Sequence, residues 1–258
     1  MRRIHPETDL ERQLMCLGAM YIEENNTLDS LYSIIGFDVD QSQELPLDIK
    51  EQVLDEVGDY FLRLDMNFGP EAQGDCLDIL EEIWGIRNKE EVLKSLAGIR
   101  IQGHRTKFNI LRQTVPQEGS LDQGALTKFK QIFQFDFVEG QELQLKDEDY
   151  QKLAQWFQRT RNFISDVGIL AWDLARHIQL VRLSFVAGYL DDNEAWAEVL
   201  KLAPLTTGQF KSWIEFSQSF LIGRTFWSGS EDPAAKQICE RLLGHPASPW
   251  NFYTCTEV

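Results

Sequence analysis

The chain has 258 residues, 43% of them hydrophobic and 26% charged, the balance of an ordinary soluble globular protein with a core of its own. Its 41 acids against 25 lysines and arginines leave a net charge of -16, which argues against nucleic acid or an anionic membrane surface as the main partner. The same composition excludes collagen, wholesale disorder and a disulfide-framed mini-protein.

Apolar residues recur at helical spacing almost throughout. Leu10, Leu14, Leu17 and Tyr21 predict a helix over 10–24, with Asp9 as N-cap. A short helix over 28–35 ends at Gly36, and a polar loop through 38–44 leads to Pro46. Ile49, Val53, Val57, Tyr60 and Phe61 predict a helix over 47–66, broken by Asn67-Phe68-Gly69-Pro70. The next helix, over 71–84, is stopped by Gly85. Asn88 with Glu91 resembles a capping box and opens a helix to about 96, interrupted near Gly98 and Gly103 and resumed to 111. After a loop at 116–119, Phe129, Phe133, Phe135, Phe137 and Val138 suggest a helix running into a short extended piece.

A helix over 147–163 places Tyr150, Leu153, Trp156 and Phe157 on one face. Ser165 or Asp166 caps a long helix over 167–190. A helix over 194–202 is stopped by Pro204, and Thr206 with Gln209 opens one to about 227, ended by Ser228-Gly229-Ser230. Asp232-Pro233 caps the last helix, which Gly244 stops. The tail over 245–258 carries Trp250, Phe252 and Tyr253, so it is expected to pack back on the body. The expected fold is all-α: a compact bundle of about ten helices around a central buried helix near 166–190. Residues 1–69 form an acidic N-terminal helical segment and 70–258 the helical core, in one continuous globular unit.

Charge is unevenly placed. Residues 1–90 hold 21 acids and 7 bases, and residues 91–258 hold 20 and 18. These acids are either the solvated faces of surface helices or an acidic surface for a basic partner. The stretch over 38–44 has two acids at calcium-loop spacing but lacks the loop's glycine and terminal Glu. Cys16, Cys76, Cys239 and Cys255 make no C-x-x-C and read as reduced thiols of a cytoplasmic protein. Asp173, Arg176, His177 and Arg182 interrupt the most apolar stretch, which a membrane span would tolerate poorly.

There is no P-loop, no dinucleotide-binding glycine motif, no nucleophile elbow and no H-E-x-x-H. No metal or cofactor is expected. The informative residues lie on the core helices. Asp173, Arg176 and His177 share a narrow stripe of the 167–190 helix, with Arg182 roughly opposite. Arg224 stands within the apolar face of the 209–227 helix. A lone buried charge costs several kcal/mol or more, so each arginine needs a carboxylate, carbonyls or a bound anion. Asp173 is the candidate partner of Arg224. The structural reading is an ion-pair network that fixes helix register. The functional reading is a pocket of Asp173, Arg176, His177, Arg182 and Arg224, with His104 and Arg105, around a small anion.

At these residues the chain resembles a known family. Ala171-Trp172-Asp173-Leu174-Ala175-Arg176, Arg182, Ala187-Gly188-Tyr189-Leu190 and Glu194-Ala195-Trp196 are similar to the core of a bacterial family known as domain of unknown function 1266. Ser212-Trp213-Ile214-Glu215-Phe216 and Gly223-Arg224-Thr225-Phe226-Trp227 resemble its next block. Trp84-Gly85-Ile86 with Gly103-His104-Arg105 resembles the first block and Ser248-Pro249-Trp250 the last, covering about 77–250. The resemblance implies no activity, substrate or cofactor. The expectation is therefore a non-enzymatic protein-interaction module for a basic protein partner, one version being an immunity-type antidote to a basic toxin. The alternative is an enzyme or small-anion-binding protein using the Arg/Asp pocket.

Overall fold

The computed structural model of the protein describes residues 2–35, 47–69, 71–133, 146–160, 164 and 166–255. All regular structure among them is helical. The expected loop over 38–44, the extended piece after Phe133 and the Ser165 cap lie outside the described residues.

The first predicted helix is two: α1 (Asp9–Cys16) and α2 (Ala19–Glu23), turning at Leu17-Gly18. The cap of α1 is Thr8, not Asp9, in a full capping box with Glu11. Helices α3 (Thr27–Ile35) and α4 (Leu47–Phe61) follow. The latter ends before position 66, where Met66 and Asn67 take positive φ. Helix α5 (Ala72–Trp84) stops at Gly85, whose φ of 64° is the left-handed conformation that a side chain disfavours. Helix α6 (Lys89–Ile101) opens on Asn88 and runs straight through Gly98. The break falls at Gly103, where α7 (Gly103–Thr114) starts in a new direction.

Helices α8 (Gln123–Phe133) and α9 (Asp147–Thr160) pack together, and Phe108, Phe129, Phe157 and Phe226 join them to the body edge-to-face. Helix α10 (Leu170–Val186) has no side-chain cap of its own; the Ala171 amide donates to Ser219 Oγ instead. Asp191 and Glu194 form the capping box of α11 (Asp192–Leu200). Pro204 does not stop that helix but starts the short α12 (Ala203–Thr206). Thr206 therefore ends a helix rather than opening one. The start of α13 (Trp213–Ser228) is set by Ser212, which accepts from the Glu215 amide. Asp232 caps α14 (Pro233–Gly244) as the sequence suggests.

Fourteen of the 17 residues of α10 are buried, among them Leu174, Ile178, Val181 and Phe185, so this is the central helix. Its apolar residues cover nearly the whole circumference, and neighbours on all sides are needed to bury them. Helices α13, α6, α5, α11 and α7 supply those neighbours. The tail returns as expected: Trp250 stacks on Trp213 at 4.9 Å, and its indole N–H donates to the Cys16 carbonyl. The N-terminal segment is fastened at the other side, where the Arg3 amide donates to Asp192 and the Trp196 indole donates to the Arg3 carbonyl. Among the described residues no helix is long and apolar enough to cross a membrane.

Candidate functional site

Helix α10 carries Asp173 in its first turn, aimed at the break between α6 and α7. There the carboxylate does the work of a helix cap supplied from another element. One oxygen accepts from the His104 amide at 2.8 Å, and the other from the Arg105 amide at 3.1 Å and the Arg105 guanidinium at 2.9 Å. The residue before α7, Gln102, makes no capping bond itself, so Asp173 satisfies amides that would otherwise be orphaned. Arg105 also donates to the carbonyls of Ile99 at 2.8 Å and Arg100 at 2.5 Å, closing the end of α6. The approach is so close that a Cβ on Gly103 would lie 2.0 Å from the Asp173 carboxylate. Burial raises the Asp173 carboxyl above its ordinary range, against the pull of both amides and Arg105.

Beside this cap the indole of Trp172 donates to His104 Nδ1 at 3.0 Å. Arg176, one turn further along α10, brings a guanidinium nitrogen within 3.2–3.3 Å of the His104 ring nitrogens. Its guanidinium carbon lies 4.8 Å from the ring centre of Trp84 and 5.6 Å from that of Trp172. Trp84, His104 and Arg176 line an open cavity of about 490 Å³ between the ends of α5 and α6 and the start of α7. Of the seven residues expected in one pocket, the structure brings Asp173, Arg105, His104 and Arg176 together.

His177, Arg182 and Arg224 stand elsewhere. His177 is buried against α11, its Nε2 3.2 Å from the Glu198 carbonyl, and Glu198 pairs with Arg100 at 3.1 Å and with Lys201. Burial, opposed by hydrogen bonds to the Glu198 and Leu96 carbonyls, pushes the His177 imidazole down to about 4. The unfolded chain takes up this proton near pH 6.5. Between about pH 6.5 and 4 the unfolded state therefore binds more protons, and stability falls on acidification by at most about 1.4 kcal/mol per pH unit. His177→Gln should flatten that decline, as read from urea midpoints between pH 7 and 4.5; an unchanged slope would exclude His177 as its source.

Arg182 is fully buried. It donates to the Phe61 carbonyl and, at 3.4 Å, to the Gly18 carbonyl. Phe61 ends α4, where carbonyls lack helical partners and the helix dipole is negative. Of the partners the sequence allows, Arg182 takes backbone carbonyls, one of them at a helix end. Burial lowers the guanidinium to about 10, still charged at neutral pH. Arg224 is corrected more strongly. It is half-buried and pairs with Asp232 at 2.6 Å and Glu24 at 3.8 Å, not with Asp173, whose oxygens are engaged at α7. A quarter of its side chain is exposed, which keeps such a pair within about 1 kcal/mol.

Trp84, Trp172 and Lys107, which also lines the cavity, are not marked by catalytic spacing. The available signal for the indoles is their place within the family-like blocks. No group of three His, Cys, Asp or Glu able to hold a metal ion occurs among the described residues. The family described as Protein of unknown function (DUF1266) matches residues 79–254. No curated protein and no solved structure matches the chain.

Proposed function

The chain belongs to the DUF1266 family, and from that premise we propose that it is a binding protein whose acidic N-terminal third docks a basic protein partner in the cytoplasm. The observation that carries this reading is the unfavourable placing of the acids. On α4, Glu51, Asp55 and Asp59 recur every fourth residue, all exposed. On α5, Asp75, Asp78 and Glu82 do the same at spacings of three and four. Like charges at these spacings repel along a helix by a few tenths of a kcal/mol per pair. Neither helix has a base in its last turn, although Asp59 sits in one and Glu81 and Glu82 in the other. Acids there oppose the helix dipole. Among the described residues the side chains of Glu51, Asp55, Asp75, Asp78 and Glu82 make no ion pair or hydrogen bond. Asp75 stands in the first turn of α5, where the dipole favours an acid; the other charges bring the fold no such gain, whereas a basic partner would gain steering and complementarity from all of them.

The residues that invite a catalytic reading point the same way. Asp173 and Arg105 cap helices, and Arg182 closes the end of α4. All four cysteines are free and buried, in keeping with a reducing compartment. An antidote to a basic toxin is one narrower form of this reading.

The test is charge reversal on the exposed stripes. Asp75→Lys, Asp78→Lys and Glu82→Lys together, or Glu51→Lys, Asp55→Lys and Asp59→Lys together, should weaken retention of a co-purifying basic protein by about tenfold or more. Raising salt to about 0.5 M should weaken wild-type retention in the same way. Helix content should be unchanged by either triple substitution. Retention insensitive to both salt and reversal would sink the proposal.

A further inference from the structure

We propose, resting on the acidic face described above, that the basic partner is anchored by an arginine side chain held in the cavity between the N-terminal segment, α4 and the tail. This cavity, of about 620 Å³, is built from stretches far apart in the chain: His5 to Arg12, the side of α4 from Leu54 to Leu62, and Tyr253. Its size lies within the range of small-molecule sites. The first ground is the charge left over once internal pairs are counted. Asp9, Asp55 and Asp59 all line the cavity. Asp9 is met by Arg12 at 2.7 Å, and Asp59 stands 3.6 Å from His5 Nδ1. Arg63, next along from Asp59, is already forked onto both oxygens of Asp65 at 2.7 Å. With both pairs counted as met, Asp55 remains, and its side chain makes no ion pair or hydrogen bond among the described residues. One uncommitted carboxylate calls for one cation.

The second ground is what surrounds that carboxylate. Leu54, which is 37% exposed, the buried Leu62, Pro6 and Tyr253 give the cavity apolar and aromatic surface. Burial first, then its neighbours, Asp9 and Asp55 among them, push the Tyr253 phenol up to about 12 against the pull of Arg12. Asp55 thus lies within electrostatic reach of the phenol. A guanidinium suits such surroundings: its flat face stacks on an aromatic ring, its edge forks a carboxylate, and its methylene stem covers apolar surface. An ammonium is a strongly hydrated point charge that would give up more water for fewer contacts.

The third ground is Gly58, which lines the cavity from inside α4. It does not take positive φ, and a Cβ there would meet nothing within 4 Å. Neither backbone nor packing asks for glycine at this position, and glycine weakens a helix interior relative to alanine. What its missing side chain provides is room. Leu54 lies one turn before it and Leu62 follows at the helix end, so the gap between two leucines is the recess itself.

The ¹⁵N-labelled full chain is titrated separately with acetyl-arginine amide, acetyl-lysine amide and the uncharged acetyl-citrulline amide, with the backbone amide signal of Tyr253 as readout. The arginine probe should shift that signal saturably, and the other two should bind about tenfold more weakly or worse. Gly58→Leu, which fills the recess without changing charge, and Asp55→Asn, which removes the charge without changing shape, should each weaken the arginine probe by about tenfold or more. Gly58→Leu should not lower the urea midpoint. No saturable shift, equal binding of the citrulline probe, or an undiminished shift in both variants overturns the pocket. Equal binding of the lysine probe overturns the choice of arginine. Retention of the basic partner separates this pocket from the acidic face on which it rests. Asp75→Lys, Asp78→Lys and Glu82→Lys on α5 leave the cavity intact. If they weaken retention while Gly58→Leu and Asp55→Asn do not, the acidic face stands and the arginine pocket falls. Retention insensitive to salt and to charge reversal overturns both.

Discussion

Asp173→Ala should destabilise the protein by about 3–5 kcal/mol, the usual consequence of removing one partner from a buried ion pair. The carboxylate is almost wholly buried and accepts three hydrogen bonds, two from the His104 and Arg105 amides of α7 and one from the Arg105 guanidinium. Without it those amides face a protein interior, and Arg105 keeps only the carbonyls at the end of α6. Urea unfolding measures the change. A loss below about 1 kcal/mol would mean that the contact is no more than a surface pair. The same geometry sets a second measurement. Gly103→Ala puts a methyl 2.0 Å from the Asp173 carboxylate at a φ of 58°. With Asp173 present both the clash and the left-handed backbone oppose it. In an Asp173→Ala background the clash with the carboxylate is gone, while the backbone cost, about 1–2 kcal/mol, and the 2.6 Å approach to the end of the flexible Arg105 side chain remain. The two substitutions should therefore be less than additive.

Gly223→Ala should cost about 2 kcal/mol net, although alanine is the better helix former by about 1 kcal/mol. The reason lies where α13 crosses α10. A Cβ at position 223 would stand 2.3 Å from Trp172 Cβ and 3.2 Å from Ile169 Cβ. These atoms sit next to the backbone, and the Trp172 ring is held by His104, Phe220 and Trp227. The two helices must move apart, which near-ultraviolet circular dichroism would register as a changed tryptophan environment. Gly98→Ala is the control: it enters open space in α6 and should stabilise by about 0.5–1 kcal/mol. If both variants behave alike, the close crossing of α10 and α13 is not what requires glycine at 223.

The all-helical fold and the central place of α10 were legible along the chain. Local periodicity carries that information, and Gly85, Asn88 and Asp232-Pro233 mark ends that the structure keeps. The apolar circumference of α10 could be buried only at the centre. The tail aromatics likewise had to find a surface, and Trp250 found Trp213.

The breaks within helices and the partners of the buried charges came from packing. The helix that periodicity predicts over 10–24 is divided at Gly18, where a Cβ would stand 2.6 Å from Ile178 and where the carbonyl receives Arg182. Thr206 and Gln209 have the spacing of a capping box, yet the cap that forms is Ser212, because α12 already occupies the earlier turn. Asp173 could have met any arginine; it met Arg105, because the break at Gly103 brings two amides and a guanidinium to one point. Arg182 needed no acid at all, since the end of α4 offers carbonyls that any sequence possesses. Periodicity and capping act over three or four residues and can be read along the chain. The neutralisation of a buried charge depends on groups that only packing brings near, here 68 residues away for Arg105 and Asp173 and 121 for Arg182 and Phe61.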